Sequence, residues 1–291
     1  MQQTKRVGKT ILSCLLSFLL ALSMVLTAVC GALSFTLHAP QFAVTVVHAT
    51  DYATHLQKEL HDDFINYGSA ANIDESFFDT LFREVVTADK VEEDTKTMFR
   101  AFYSGTPKAV DTADLEQILL ERLQQYAKEK GYYVDHNLQG NLEHITEELC
   151  KMYSGYVSVF SNKYFETASK TMAKFRPIAL YGLGIGAVFA LLSAVLMLLL
   201  QKEKADKFAY LTYATSGAAL MLLVAPTAVL LSGVANRISI ATKSLFTLAK
   251  GTMNGACIAV LVTALIPVVL TILFAVLYTR QEASNGEQNQ K

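Results

Sequence analysis

The chain has 291 residues, 52% of them hydrophobic and 18% charged, with a formal net charge of −1. That balance hides an asymmetry: all six histidines and 22 of the 26 Asp and Glu residues fall within 37–176, against 14 Lys and Arg there, a local net charge near −8. Such a segment repels nucleic acid and anionic lipid, and with Cys150 as its one cysteine it excludes a disulfide framework.

Residues 1–9 carry Lys5, Arg6 and Lys9 and precede the first of four runs free of Asp, Glu, Lys, Arg and His: 10–36, 178–200, 208–232 and 252–278. A bilayer core about 30 Å thick needs roughly 20 apolar residues, and a helix satisfies its own backbone in lipid. Transmembrane helices are therefore expected at 10–36, 177–200, 208–232 and 252–278. The first is open to a second reading as a cleaved signal peptide, with Val47-His48-Ala49 as a tripeptide of cleavage-site character. Its run of 27 residues exceeds the roughly 7 to 15 of such a segment, so retention as an anchor is expected.

Within 37–176 the patterning is helical throughout. Thr50 is placed to cap a helix whose Tyr52, Leu56, Leu60, Phe64 and Tyr67 recur at helical spacing, ending at Gly68 to Ala71. Asn72 and Ile73 lead into a short apolar face of Phe77, Phe78, Leu81, Phe82 and Val85. Thr87 caps the next helix, with Val91, Met98 and Phe102 inward, and Ser104-Gly105-Thr106-Pro107 stops it. Asp111 and Asp114 suit the following N-terminus, Leu115, Ile118, Leu119, Leu123 and Tyr126 its inner face, and Gly131 its end. A last helix is expected to open near Asn141, carry Leu142, Ile145, Leu149, Met152, Tyr156, Val159 and Phe160, and run to about Phe175. At Arg176-Pro177 it either continues or gives way to a fresh helix. The expected fold is all-α: four transmembrane helices with an extracytoplasmic four- or five-helix bundle inserted between the first and second spans.

The second span repeats Gly182, Gly186, Ala190 and Ala194 every fourth residue, a small stripe that lets another helix approach closely. Pro226 and Pro267 are expected to kink the third and fourth spans. Between those spans, 233–251 places Ile238, Leu245, Phe246 and Leu248 among Arg237, Lys243 and Lys250. Two readings are open: an amphipathic helix at the membrane surface, or a helix packed beneath the inserted domain. The short segments 1–9, 201–207 and 279–291 hold Lys5, Arg6, Lys9, Lys202, Lys204, Lys207, Arg280 and Lys291, against three basic residues in 233–251. Cytoplasmic N- and C-termini in the plasma membrane are expected from this excess.

The layout resembles a group of uncharacterised four-span membrane proteins of Gram-positive bacteria. The likeness is carried by the Tyr52 to Tyr67 helix, the Asn72-Ile73-Asp74 turn, Val91 and the Tyr103-Ser104-Gly105 stop. It implies the fold and brings no activity with it. The order of parts is also similar to FtsX-like permease subunits, which couple to a cytoplasmic ATPase through a longer segment than 201–207.

Candidate chemistry is confined to the insertion. If the first of its helices begins early enough to include His48, then His48, His55, Glu59 and Asp62 project from one face. His144 with Glu147 and Glu148, from the last helix, would complete a partial metal site. The alternative is a solvated flank, and no HExxH or Cys/His spacing strengthens the metal reading. Asp63 falls on the apolar face of its helix, where a buried carboxylate needs a partner. No nucleophile motif or acid pair is present, so neither catalysis nor a cofactor is expected. The functional expectation is a non-enzymatic membrane protein whose outer domain binds a ligand or an envelope protein partner, or assembles with further copies, without nucleic acid. A transport-related component is the alternative, and a metal- or pH-sensing ectodomain the third reading.

Overall fold

The computed structural model describes residues 2–201, 203–240 and 242–289, with side chains for 7–201, 203, 205–240 and 242–283. Among the basic residues behind the expected orientation, Lys202 and Lys291 lie outside the described residues, as do the side chains of Lys5, Arg6 and Lys204. The chain divides into two compact units. One holds residues up to His38, Phe175–Arg237 and residues from Met253; the other holds Ala39–Lys174 and Ile238–Thr252. All regular structure among the described residues is helical.

The first unit contains helices α1 (Gln2–Phe35) and α9 (Lys204–Ser232) and most of α8 (Lys163–Leu200) and α10 (Lys243–Asn289). Four helices are long and apolar enough to cross a membrane: Val7–Phe35, Lys163–Leu200, Ala205–Arg237 and Lys243–Ala283. Helices α1 and α9 are the closely packed pair. The small stripe of α8 faces α1. A Cβ on Gly182 would lie 2.8 Å from Cys30 Sγ, and one on Gly186 would lie 2.6 Å from Thr27 Oγ1 and 3.1 Å from its backbone nitrogen. Ala190 and Ala194 pack with Leu20, Met197, Leu211 and Ala214. Helices α8, α9 and α10 run on through Pro177, Pro226 and Pro267.

Polar side chains of this unit mostly return to their own helix. Ser23 donates to Leu19 O, Thr27 to Ser23 O, Ser34 to Cys30 O and Thr212 to Phe208 O, at 2.7–2.8 Å. In hydrocarbon such a bond gives each of these hydroxyls a partner. Links between helices are few: Gln201 Nε2 donates to Ser13 Oγ at 2.6 Å, and Thr271 Oγ1 to Thr215 Oγ1 at 2.9 Å. A recess of about 640 Å³ is lined almost wholly by apolar side chains, among them Ala28, Phe35, Leu183, Ala187 and Ile266.

The second unit holds six whole helices among the described residues, rather than four or five. They are α2 (Pro40–Ala49), α3 (Tyr52–Ala70), α4 (Glu75–Glu84), α5 (Ala88–Tyr103), α6 (Ala113–Glu129) and α7 (His136–Val157). The unexpected one is α2. Pro40 opens it with a preset φ and no N–H to waste, and Ala43, Val46 and Val47 bury one face. Thr50 does not cap α3: its hydroxyl returns to Val46 O at 2.8 Å, and Asp51 turns the chain with φ 49°. His48 therefore ends α2 and does not share a helix with His55.

Helix α3 is central, packing on α2, α4, α5 and α7. Leu56, Leu60 and Phe64 are buried along it, and Phe64 meets Phe78 and Phe82 edge to face at 6.2 and 5.2 Å. The helix ends within the expected stretch Gly68 to Ala71: it continues to Ala70, and Asn72 makes the turn at φ 57°. What Gly68 provides is clearance, because a Cβ there would come within 2.1 Å of the Phe78 ring.

Thr87 caps α5, accepting from Lys90 N at 3.2 Å, and Gly105 and Gly131 adopt φ 81° and 83° after α5 and α6. Helix α7 begins before Asn141, at His136, because Asp135 Oδ1 accepts from Leu138 N at 2.8 Å. Nor does it reach Phe175. It ends at Val157, a short 3₁₀ turn covers Val159–Ser161, and Asn162 Oδ1 caps α8 by accepting from Tyr164 N and Phe165 N. Ser158 accepts from Val110 N and Ser169 donates to Phe102 O, which ties this break to the rest of the domain.

The segment Ile238–Thr252 belongs to this unit, which selects the second of the two readings of 233–251. Leu248 is buried in the domain core with Leu245 packed against it. Gly251 sits so close to α2 that a Cβ would lie 2.4 Å from Thr50 Cγ2 and 3.0 Å from Val46 Cγ1.

Candidate functional site

The proposed ligand residues are engaged separately. His48 Nδ1 lies 3.3 Å from Glu92 Oε1 on α5, and its side chain is 79% exposed. Lys96 also pairs with Glu92 and, with burial opposing, holds that carboxyl below the usual range. His55 is half-buried on α3, one turn before Glu59. Asp62 is exposed, 3.9 Å from His61 Nδ1. His144 is exposed on α7, while Glu147 and Glu148 both bind Lys151 at 2.8 Å. Among the described residues no three His, Cys, Asp or Glu gather as metal ligands. His61, which sequence periodicity did not single out, lies 3.0 Å from Asp79 Oδ1 and packs edge-on against Phe82.

Glu59 has a different role. From α3 it reaches the first turn of α10, where Oε1 accepts from Ser244 N at 2.9 Å and Oε2 from Ser244 Oγ at 2.5 Å. A carboxylate at a helix N-terminus satisfies otherwise unpaired donors and complements the helix dipole. One turn further along α3, Asp63 accepts from the hydroxyl of Tyr156 on α7. That bond, then burial, pushes the Tyr156 phenol up to about 12. A second tyrosine of α7, Tyr153, donates to Asp94 Oδ2 of α5 at 2.5 Å, and Asp94 also pairs with Lys90. Burial, then the Asp94 bond, keeps Tyr153 protonated well beyond the usual range.

Glu59, Tyr156 and Ser244 border a recess of about 370 Å³ lined also by Tyr52 and Leu56 of α3, Met152 and Gly155 of α7, and Thr242 and Leu245. Its wall is mainly apolar, with a few oxygens. Four buried side-chain polar atoms lack a partner among the described residues, and two of them, Tyr52 Oη and Thr242 Oγ1, belong to this lining. Tyr52 is fully buried, and burial, then the charge of Glu59, drives its phenol pKa far up, so it remains a hydroxyl. A buried hydroxyl without a partner costs free energy unless something enters to meet it.

A larger groove of about 500 Å³ runs between α4 and α6, but three of its four charged side chains are already paired. Asp74 binds Lys130, Tyr126 Oη accepts from Asp74 N at 3.0 Å, and Arg122 pairs with Glu84 at 2.9 Å. The smaller recess is therefore the better candidate. Periodicity places Tyr52 and Tyr156 on apolar faces, and the carboxylate of Asp63 on the apolar face of α3 is the available signal for the tyrosine that meets it. Set against protein-family models, curated proteins and solved structures, the chain matches none.

Proposed function

We propose that this is a non-enzymatic multi-pass protein of the plasma membrane, with cytoplasmic termini and an extracytoplasmic helical domain that binds a ligand or an envelope protein partner. The observation that carries this reading is the recess whose lining keeps two buried hydroxyls, Tyr52 Oη and Thr242 Oγ1, without a partner among the described residues. Groups left unsatisfied in an apolar hollow suit recognition, and the carboxylates there are occupied as helix cap and tyrosine acceptor rather than poised beside a nucleophile. The spans support an anchoring role over transport, because their hydroxyls are used on their own helices and their recess is apolar.

The test has two arms. Tyr133, 88% exposed in the domain, is replaced by cysteine and probed with a membrane-impermeant maleimide. Labelling in intact cells is expected, and labelling only after lysis overturns the outer placement. Crosslinking in native membranes, followed by purification of the full chain, is expected to recover a stoichiometric partner or a homo-oligomer. Recovery of monomer alone counts against scaffolding and leaves small-ligand binding.

A further inference from the structure

We propose that the recess between α3, α7 and the start of α10 binds a small organic ammonium, a primary amine carrying a compact apolar body. This rests on the binding reading above for the domain's role, but not on which side of the membrane the domain faces. The first support is charge. Glu59 borders the recess and Asp63 lies behind Tyr156, and among the described residues neither carboxylate has a cationic partner. Elsewhere in the domain Glu92, Asp94, Asp74, Glu147, Glu148 and Glu166 each have a lysine, and carboxylates without one, such as Asp51, Glu75, Asp89 and Glu116, are exposed to solvent, whereas Glu59 and Asp63 are half-buried. Two uncompensated carboxylates disfavour an anion and favour a cation, the more so in a partly desolvated hollow.

Hydrogen-bond arithmetic narrows the cation. An alkylammonium has three N–H donors and no acceptor. The lining offers the spare lone pairs of the Glu59 carboxylate together with the oxygens of Tyr52 and Thr242, neither of which has a hydrogen-bond partner among the described residues. A guanidinium needs a planar fork of acceptors, which this set does not resemble. The body of the ligand follows from Leu56, Met152 and Leu245, and from Gly155, beside which an added Cβ would meet nothing within 4 Å. A recess of about 370 Å³ stands at the small end of ligand pockets, which run from about 300 to 1,000 Å³. Water alone is poorly suited, because the walls give it few polar partners for that volume.

The proposal is tested on the full chain in lipid nanodiscs with three probes of one shape: 2-phenylethylamine, 2-phenylethanol and phenylacetate. Equilibrium dialysis is expected to show saturable binding of the amine, about tenfold or more weaker binding of the alcohol and none of the carboxylate. Tyr52→Phe, which deletes a hydroxyl with no partner among the described residues and so spares the fold, is expected to weaken the amine about fivefold or more. Glu59→Gln is expected to weaken it further; because it also loosens the cap of α10, its fold is checked by near-UV circular dichroism. Absence of saturable amine binding up to about 10 mM, equal binding of all three probes, or an unchanged affinity in Tyr52→Phe overturns the proposal. None of these results alters the maleimide or crosslinking outcomes, so the two readings fail separately.

Discussion

The two units of this chain satisfy their polar groups in opposite ways. In the spanning unit a serine or threonine mostly bonds the carbonyl one turn before it, as Ser23, Thr27 and Thr212 do. In the other unit the decisive bonds join residues far apart in sequence: Tyr156 to Asp63, Tyr153 to Asp94, Gln57 to the carbonyls of Phe82 and Val86, and Ser244 to Glu59. The reason is the solvent. A hydroxyl that waits for a distant partner is costly in hydrocarbon, so the local bond is favoured, whereas water shelters such a group until the tertiary partner arrives. Polar contacts consequently specify tertiary register in one unit, and small side chains specify it in the other.

Variants can break or sharpen this contrast. The largest effect is expected from Phe64→Ala, which empties the centre of the Phe64, Phe78, Phe82 cluster; about 3–5 kcal/mol of stability should be lost in denaturant titration. Next comes Gly186→Leu, which forces a side chain into Thr27 and the Ser23 carbonyl, at about 1–3 kcal/mol. Gly184→Leu, where a Cβ meets nothing within 4 Å, should leave the thermal midpoint in nanodiscs nearly unchanged; equal losses at the two glycines would remove the packing stripe from the account.

Tyr156→Phe is expected to cost about 1–2 kcal/mol by deleting a bond to a carboxylate. It should also change the alkaline limb of the stability profile. In the folded chain the Tyr156 phenol rises from the usual 10.0 to about 12, so the native state keeps a proton that the unfolded chain sheds. The resulting stability is whole below pH 10 and is lost as pH climbs toward 12. Denaturation midpoints measured across that window should fall less steeply in the variant. The smallest effect belongs to Thr212→Val, below about 0.5 kcal/mol, because only a bond within its own helix is lost. Were Thr212→Val to cost as much as Tyr156→Phe, the contrast between the units would fail.

Much of this architecture is readable from local chemistry. Thr87, Gly105 and Gly131 act as cap and turns because each effect needs only its immediate neighbours, and the charge-free runs declare the spans by length alone. What escapes is set by neighbours distant in sequence. The stretch from Gly68 to Ala71 reads correctly as a helix end, but only Phe78 explains the missing Cβ of Gly68, and the partner that Asp63 needs is unknown until Tyr156 arrives from α7. Asn162 and Asp135 are ordinary cap residues, yet the apolar stripe read for α7 runs on past the helix end at Val157 to Phe160 and starts well after Asp135. Periodicity therefore placed both boundaries wrongly. The histidines suggested a shared face because Asp51, whose left-handed φ separates His48 from His55, is unremarkable by residue type.

The docking of 238–252 bears on biosynthesis. Glu59 meets Ser244 across a separation of 185 residues, and Leu248 completes a core begun by Val46 and Leu56. A ribosome must therefore finish the third span before the domain can close, although six of its helices emerge much earlier. Contacts of such high order close late and slowly, and until then Tyr52 and Leu56 lack the part of their cover that Thr242 and Leu245 supply. Assembly of the domain thus waits on insertion of the spans, so a chain truncated before residue 238 would be a folding intermediate with an open flank, prone to aggregation or chaperone capture.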